Sequence, residues 1–191
     1  MIHNKNKGMV KMKKILVVLI SLLFVVGCAC SNDKASDAVE KYLNNYKSLS
    51  DNVLEDIDEL VENENLADEQ SETYKEVLKR QYRDLVYTIE NESYDGDTAD
   101  VTVKITVYDY YKASKDANNH LNNNQEEFLT DGEYDATKYL NYKLNQMKII
   151  QDSISYNIVF RVINIDNKWQ VEQPDEDTLE KLHGIYNYEK K

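Results

Sequence analysis

The sequence is short of the residues that carry most site chemistry: of 191 residues, two are cysteine, three histidine and five glycine. Cys28 and Cys30 stand too close together and too few to staple a fold, so no disulfide framework is available and the domain must rest on its core. Beyond residue 27 the histidines are His120 and His183, and neither lies in an HExxH or paired CxxC setting, which removes the usual zinc arrangements. The glycines form no phosphate-cradling loop and no Gly-x-Ser-x-Gly elbow, so nucleotide and serine hydrolysis lose support. Asp131-Gly132-Glu133-Tyr134-Asp135 lacks the glycine at position six and the glutamate at position twelve that an EF-hand requires. No cofactor and no metal are expected. Basic charge is scarce as well. The net charge is −12, and because five lysines fall within the first 14 residues, the chain after residue 27 holds 18 basic against 35 acidic side chains. Such a surface repels phosphate, which disfavours nucleic acid as a partner and anionic lipid as a direct docking surface. Solubility of a tethered domain is the plainer account of the same charge.

Only one long apolar run is present. Lys13 and Lys14 precede Ile15 to Val26, about a dozen residues that suit a signal-peptide core and fall short of the roughly 20 needed to span a bilayer. The run has no polar face apart from Ser21, so it reads as a targeting segment rather than as an amphipathic helix. It ends in Val25-Val26-Gly27-Cys28, which resembles the bacterial lipobox, and that resemblance implies a lipidated, palmitate-bearing Cys28 at the mature N-terminus. The expected organisation is a signal peptide over 1–27, a lipidated tether over 28–34 and a single α+β domain over 35–191. The protein would then be anchored by lipid at the extracytoplasmic face of the cell membrane. Cys30 is either a redox or second acylation site or an incidental thiol.

Helical spacing of Ala35, Val39, Tyr42, Leu43 and Tyr46 predicts a first helix from about Asp33 to Leu49. Ser50 as N-cap opens a second, carrying Val53, Ile57, Leu60 and Val61, and Asp68 opens a third with Tyr74, Val77, Leu78, Gln81, Tyr82 and Leu85 on one face. The period then changes to two. A strand over Val86 to Ser93, a turn at Tyr94-Asp95-Gly96-Asp97, and a strand with Val101, Val103, Ile105 and Val107 on one face predict a hairpin. Lys112 to Phe128 and Asp135 to Gln151 read as further helices, separated by a loop at Gly132. A second hairpin alternates Ile154, Tyr156, Ile158, Phe160 and Val162, turns at Asp166-Asn167 and returns through Trp169, expected in the core beside Phe160. Pro174 stops it, and Asp175 to His183 form a last helix with Gly184 at C′.

Helices, hairpin, helices and hairpin in that order predict an α+β domain: a curved antiparallel sheet of about four strands covered by helices. The stretches YTIENESYDGDTADVTVKITVYD and IVFRVINIDNKWQVE, with the tail KLHGIYNY, resemble small bacterial lipoproteins that carry a nuclear-transport-factor-two-like domain. That resemblance implies a cone whose concave sheet face holds a ligand, a catalytic site or only side chains. Two constellations are candidates for chemistry. At the end of the second strand Tyr108 and Tyr110 alternate with Asp109 and Tyr111, and a carboxylate beside phenols can do acid and base work, but no matched partner is identified and packing or a strand-end cap is the simpler account. His183 at a helix C-terminus would be favoured in its protonated form by the dipole, as a cap or in a catalytic or pH-sensing role. The expected function is therefore a non-enzymatic binding or envelope-associated module for an unidentified protein, peptide or small molecule. The competing expectation is a small isomerase- or dehydratase-like enzyme with Asp109 as its base.

Overall fold

Strict alternation makes β2 (Thr98–Tyr108) the best-defined strand: Val101, Val103, Ile105 and Val107 are buried, and Lys104 on the opposite face is exposed. The computed structural model describes residues 34–190. The apolar run, Cys28 and Cys30 lie outside them. β2 pairs with β1 (Val86–Asp95) on one side and with β5 (Ser153–Ile165) on the other, and β5 pairs with β6 (Lys168–Val171), giving one antiparallel sheet of order β1-β2-β5-β6. The sheet is open. A bulge where Glu90 is left unpaired disturbs the β1 edge, and Glu92 and Asp95 add charge there, two features that discourage edge-to-edge pairing.

The apolar face is covered by α1 (Ala35–Ser48) and α6 (Glu176–His183): Ala35, Val39, Leu43 and Leu182 pack on Val101, Val103, Ile105, Ile158, Phe160 and Val162 in one core. A second cluster joins α1 to α2 (Asp51–Asn63) and α3 (Asp68–Arg83) through Tyr46, Val53, Ile57, Val61, Leu78 and Tyr82. A third joins α3 to α4 (Tyr110–Asn123) and α5 (Ala136–Ile149) through Val77, Tyr110, Ala113, Leu144 and Met147. Together these clusters make an α+β fold, the class the order of sequence periods predicts.

α3 takes part in the second and third clusters and also reaches the end of β2, because successive positions around its last turns face different neighbours. Leu78 and Tyr82 face α1 and α2, while Val77 accepts a hydrogen bond from Tyr110 Oη at 3.0 Å. The Arg80 guanidinium lies 3.6 Å from the Tyr108 ring centre and donates to the carbonyls of Lys148 (2.8 Å) and Ile150 (2.7 Å) at the end of α5, where a cation suits the helix dipole. Gln81, buried, donates to Tyr108 O at 3.2 Å and accepts from Tyr108 N at 3.0 Å. β1 begins at Val86, opposite Thr106, so Tyr108 has no strand neighbour on that side, and the Gln81 amide takes the neighbour's place. Gly184 closes against the same junction. Its φ is +72°, and an added Cβ would stand 2.2 Å from both Gln81 Nε2 and Tyr108 O, so glycine is required here for space as well as for backbone conformation.

Three expectations are corrected. The helix expected over Lys112 to Phe128 starts earlier, at Tyr110, and stops at Asn123. Asn124 turns out of helical geometry and bonds back to the His120 carbonyl through its side chain, the competition asparagine offers to helix backbone, and a 3-10 turn over Gln125–Phe128 follows. The loop at Gly132 is a small hairpin, β3 (Leu129–Thr130) and β4 (Glu133–Tyr134), turned through Asp131 and Gly132 at positive φ. Trp169 packs against the core cluster that holds Phe160, as expected, but it is only half-buried at the edge of that core, and it pairs with Asn164. Its ring packs edge-on against Tyr94 at 5.6 Å, whereas the aromatic neighbour of Phe160 is Tyr42.

Candidate functional site

The four residues singled out in the sequence do not converge on one cavity. Tyr108 and Tyr110 stack with ring centres 6.1 Å apart beneath α3, and both hydroxyls are engaged, by Asp84 at 2.9 Å and Val77 O at 3.0 Å. Asp109 and Tyr111 point the other way, under the C-terminal segment that follows α6. His183 sits apart against Tyr82, at the end of a run of rings formed by Phe160, Tyr42, Tyr46, Tyr82 and His183. Burial among them lowers the His183 pKa from 6.5 to about 4. Desolvation alone accounts for that lowering and favours the neutral imidazole, a direction opposite to the one the helix end suggests.

Asp109 is buried and occupies the N-cap of α4. One carboxylate oxygen accepts from Lys112 N at 2.9 Å and the other from Tyr188 Oη at 3.0 Å, while its own amide donates to Asp152 O at 2.9 Å. The tail over Asp109 is held at several points. Tyr111 N donates to Gly184 O, the Tyr111 and Tyr188 rings meet edge to face at 4.9 Å, and Glu189 takes both the Tyr111 hydroxyl and an ion pair with Lys115. Desolvation, and after it the bond to Asp109, push the Tyr188 pKa up to about 12. Beside this group the Tyr156 hydroxyl is buried with no hydrogen-bond partner among the described residues. Burial and then the Asp109 charge raise its pKa as well, and Tyr186 of the tail packs edge-on over its ring at 5.8 Å.

The site that emerges is thus Asp109, Tyr111, Tyr156 and Tyr188, closed by the tail. Tyr156 and Tyr188 were not singled out in the sequence. Tyr156 is one of the inward positions of β5 and carries a polar tip where aliphatic residues would suffice, which is the signal that was there to be read. Tyr188 lies in irregular chain, where no period marks it. An open depression of about 440 Å³ is lined by Asn122 to Glu127, and none of the candidate residues contributes to it. Among the described residues no three His, Cys, Asp or Glu side chains are grouped to hold a metal, and no helix is long and apolar enough to cross a membrane. No protein-family model, no curated protein and no solved structure matches the chain.

Two outcomes follow from this geometry. Asp109→Ala removes a cap and a partner of Tyr188 and should cost about 1–3 kcal/mol, Tyr188→Phe about 0.5–1.5, and the double variant less than their sum, read from urea melts. An Asp109→Ala protein melting at or above wild type would instead mark a carboxylate held at the expense of the fold, as functional groups often are. The second outcome concerns pH. Because His183 titrates near 6.5 when unfolded and near 4 when folded, the unfolded chain takes the proton first, and stability falls as pH drops between those values, by up to about 3 kcal/mol. Asp56 and Glu180, whose carboxyls burial pushes up, act in the opposite sense, so the readout is the difference between wild type and His183→Gln. Wild-type stability minus that of His183→Gln should fall from pH 7 to pH 4.5, and a constant difference would contradict the neutral imidazole.

Proposed function

We propose that the protein is a lipid-anchored, extracytoplasmic lipoprotein whose single domain, over 35–191, is a non-enzymatic binding or envelope-associated module of the nuclear-transport-factor-two-like kind. The observation that carries the module reading is the engagement of Asp109: both of its oxygens are taken, by a helix amide and by Tyr188. Each oxygen keeps a second acceptor site, but the carboxylate is buried beneath the tail and its two bonds cap α4 and hold Tyr188, which are structural tasks. The sheet face that would form the floor of a concave pocket is packed with α1 and α6 side chains. Support for the fold family is the alternation of helices and hairpins around an open, four-stranded antiparallel sheet. The partner would be a protein, a peptide or a small molecule held at the surface.

The anchor rests on Lys13-Lys14, the apolar run to Val26, and Val25-Val26-Gly27-Cys28. Lipid at this cysteine would supply the stable hold that a single acyl chain does not, at about 0.8 kcal/mol per buried CH₂. Cys28→Ala should accumulate as unprocessed precursor that takes up no labelled fatty acid. Labelling of that variant, or a mature N-terminus elsewhere, would refute the lipoprotein reading.

One observation favours the enzymatic alternative, an isomerase- or dehydratase-like site. The unpartnered Tyr156 hydroxyl beside Asp109 is the kind of acid that such chemistry uses once a covering segment lifts. It is the reading that an unchanged or raised stability of Asp109→Ala would promote.

A further inference from the structure

The first residues of the domain are bound to one end of the sheet. Ala35 N donates to Tyr94 Oη and Ser36 N to a Glu92 carboxylate oxygen, each at 3.3 Å, so α1 starts where β1 finishes. Both hairpin tips lie at this same end: Asn164 N, beside the Asp166-Asn167 turn, donates to Asp97 O of the other turn at 2.7 Å. Trp169, the single tryptophan of the chain, packs on Tyr94 between the tips. Asp109, the start of β5 and the C-terminal tail gather at the opposite end. From Ser153 to Asn164, the partner of Trp169, β5 advances eleven residues, about 36 Å at strand rise.

Five residues, Ala29 to Asp33, separate Cys28 from Lys34. Six trans peptide links reach at most about 20 Å, whatever their conformation. A tether that short cannot let the domain tumble freely when its length along β5 exceeds the tether's reach. We propose that the hairpin-tip end faces the lipid surface, with Tyr94, Ile165 and Trp169 at its rim, and that the Asp109 and tail end is held outward. This rests on the lipid at Cys28. Tyr94 and Ile165 are 51% and 42% exposed, an apolar rim of the kind that settles at headgroup level. Around it Asp95, Asp97 and Asp166 outnumber Lys34 and Lys168, so the rim approaches zwitterionic headgroups more closely than anionic ones, and added salt reduces the difference.

The experiment uses the mature lipidated protein in phosphatidylcholine vesicles that carry a dansyl headgroup acceptor. Trp169 should transfer energy to the acceptor strongly, and more strongly than in phosphatidylglycerol vesicles at low salt. In a Trp169→Phe, Ser153→Trp protein the donor lies at the other end of β5, and transfer should fall several-fold. Equal transfer from both positions, or more from position 153, overturns the orientation. Should Trp169→Phe fail to fold, fluorophores on Ser153→Cys and on Asn167→Cys, each in a Cys30→Ser background, make the same comparison. Failure of the protein to float with vesicles, with no acyl mass on Cys28, overturns the anchor and the orientation with it, and is told apart from a wrong orientation because floating protein is the starting point of the transfer measurement.

Discussion

The rest of the molecule depends on one side chain bonded to the backbone of one residue: the Gln81 amide, which both donates to and accepts from Tyr108. A strand that outruns its neighbour exposes an N–H and a C=O, and burying them unpaired costs about 1–3 kcal/mol each. Here the helix preceding β1 supplies the missing partner, so α3 is fixed in both height and rotation against the sheet. Once α3 is fixed, Leu78 and Tyr82 must face α1 and α2, and Val77 and Arg80 must face α4 and α5. Three separate clusters thereby become one fold. The same junction admits Gly184 only because it has no Cβ, so the turn that releases the C-terminal tail toward Asp109 is set by the same contact.

This arrangement explains why Asp109 is structural in the described state. With Tyr108 held by Gln81, the chain must leave the strand and enter α4 within a single residue, and a carboxylate at that residue meets the first free amide of the helix. The tail, released at Gly184, brings Tyr188 to the remaining oxygen. What is left unsatisfied is the Tyr156 hydroxyl on β5. The site follows from how the sheet end is closed, and the outward placement proposed for it would leave the tail open to solvent and to partners.

The sequence was most legible where one period persisted. β2 alternates over its full length and β5 from Ser153 to Val162, and α1, α2 and α3 repeat at three and four residues, so their faces could be assigned residue by residue. Gln81 fell on the apolar stripe of α3 and could be placed inside, but a lone polar residue on a stripe does not say what it bonds. Its partner, 27 residues away, is defined only by the offset between β1 and β2. Asn124 shows the reverse failure, where side-chain competition ended a helix that spacing alone would have continued. At His183 the local rule, a helix end favouring a cation, is opposed by burial against the Tyr82 ring of α3, which no short window contains. Tyr188 was out of reach altogether, since its role depends on the path of irregular chain.

The measurement that bears most directly on this account is the stability of Gln81→Leu, a change of similar volume that leaves the packing surface and removes both bonds to Tyr108. If the Gln81 amide stands in for the missing strand, the variant should lose about 2–5 kcal/mol in urea melts, and the Tyr108 amide should lose its protection from hydrogen exchange before the rest of β2. A Gln81→Leu protein that melts at or above wild type, with Tyr108 still protected, would contradict it.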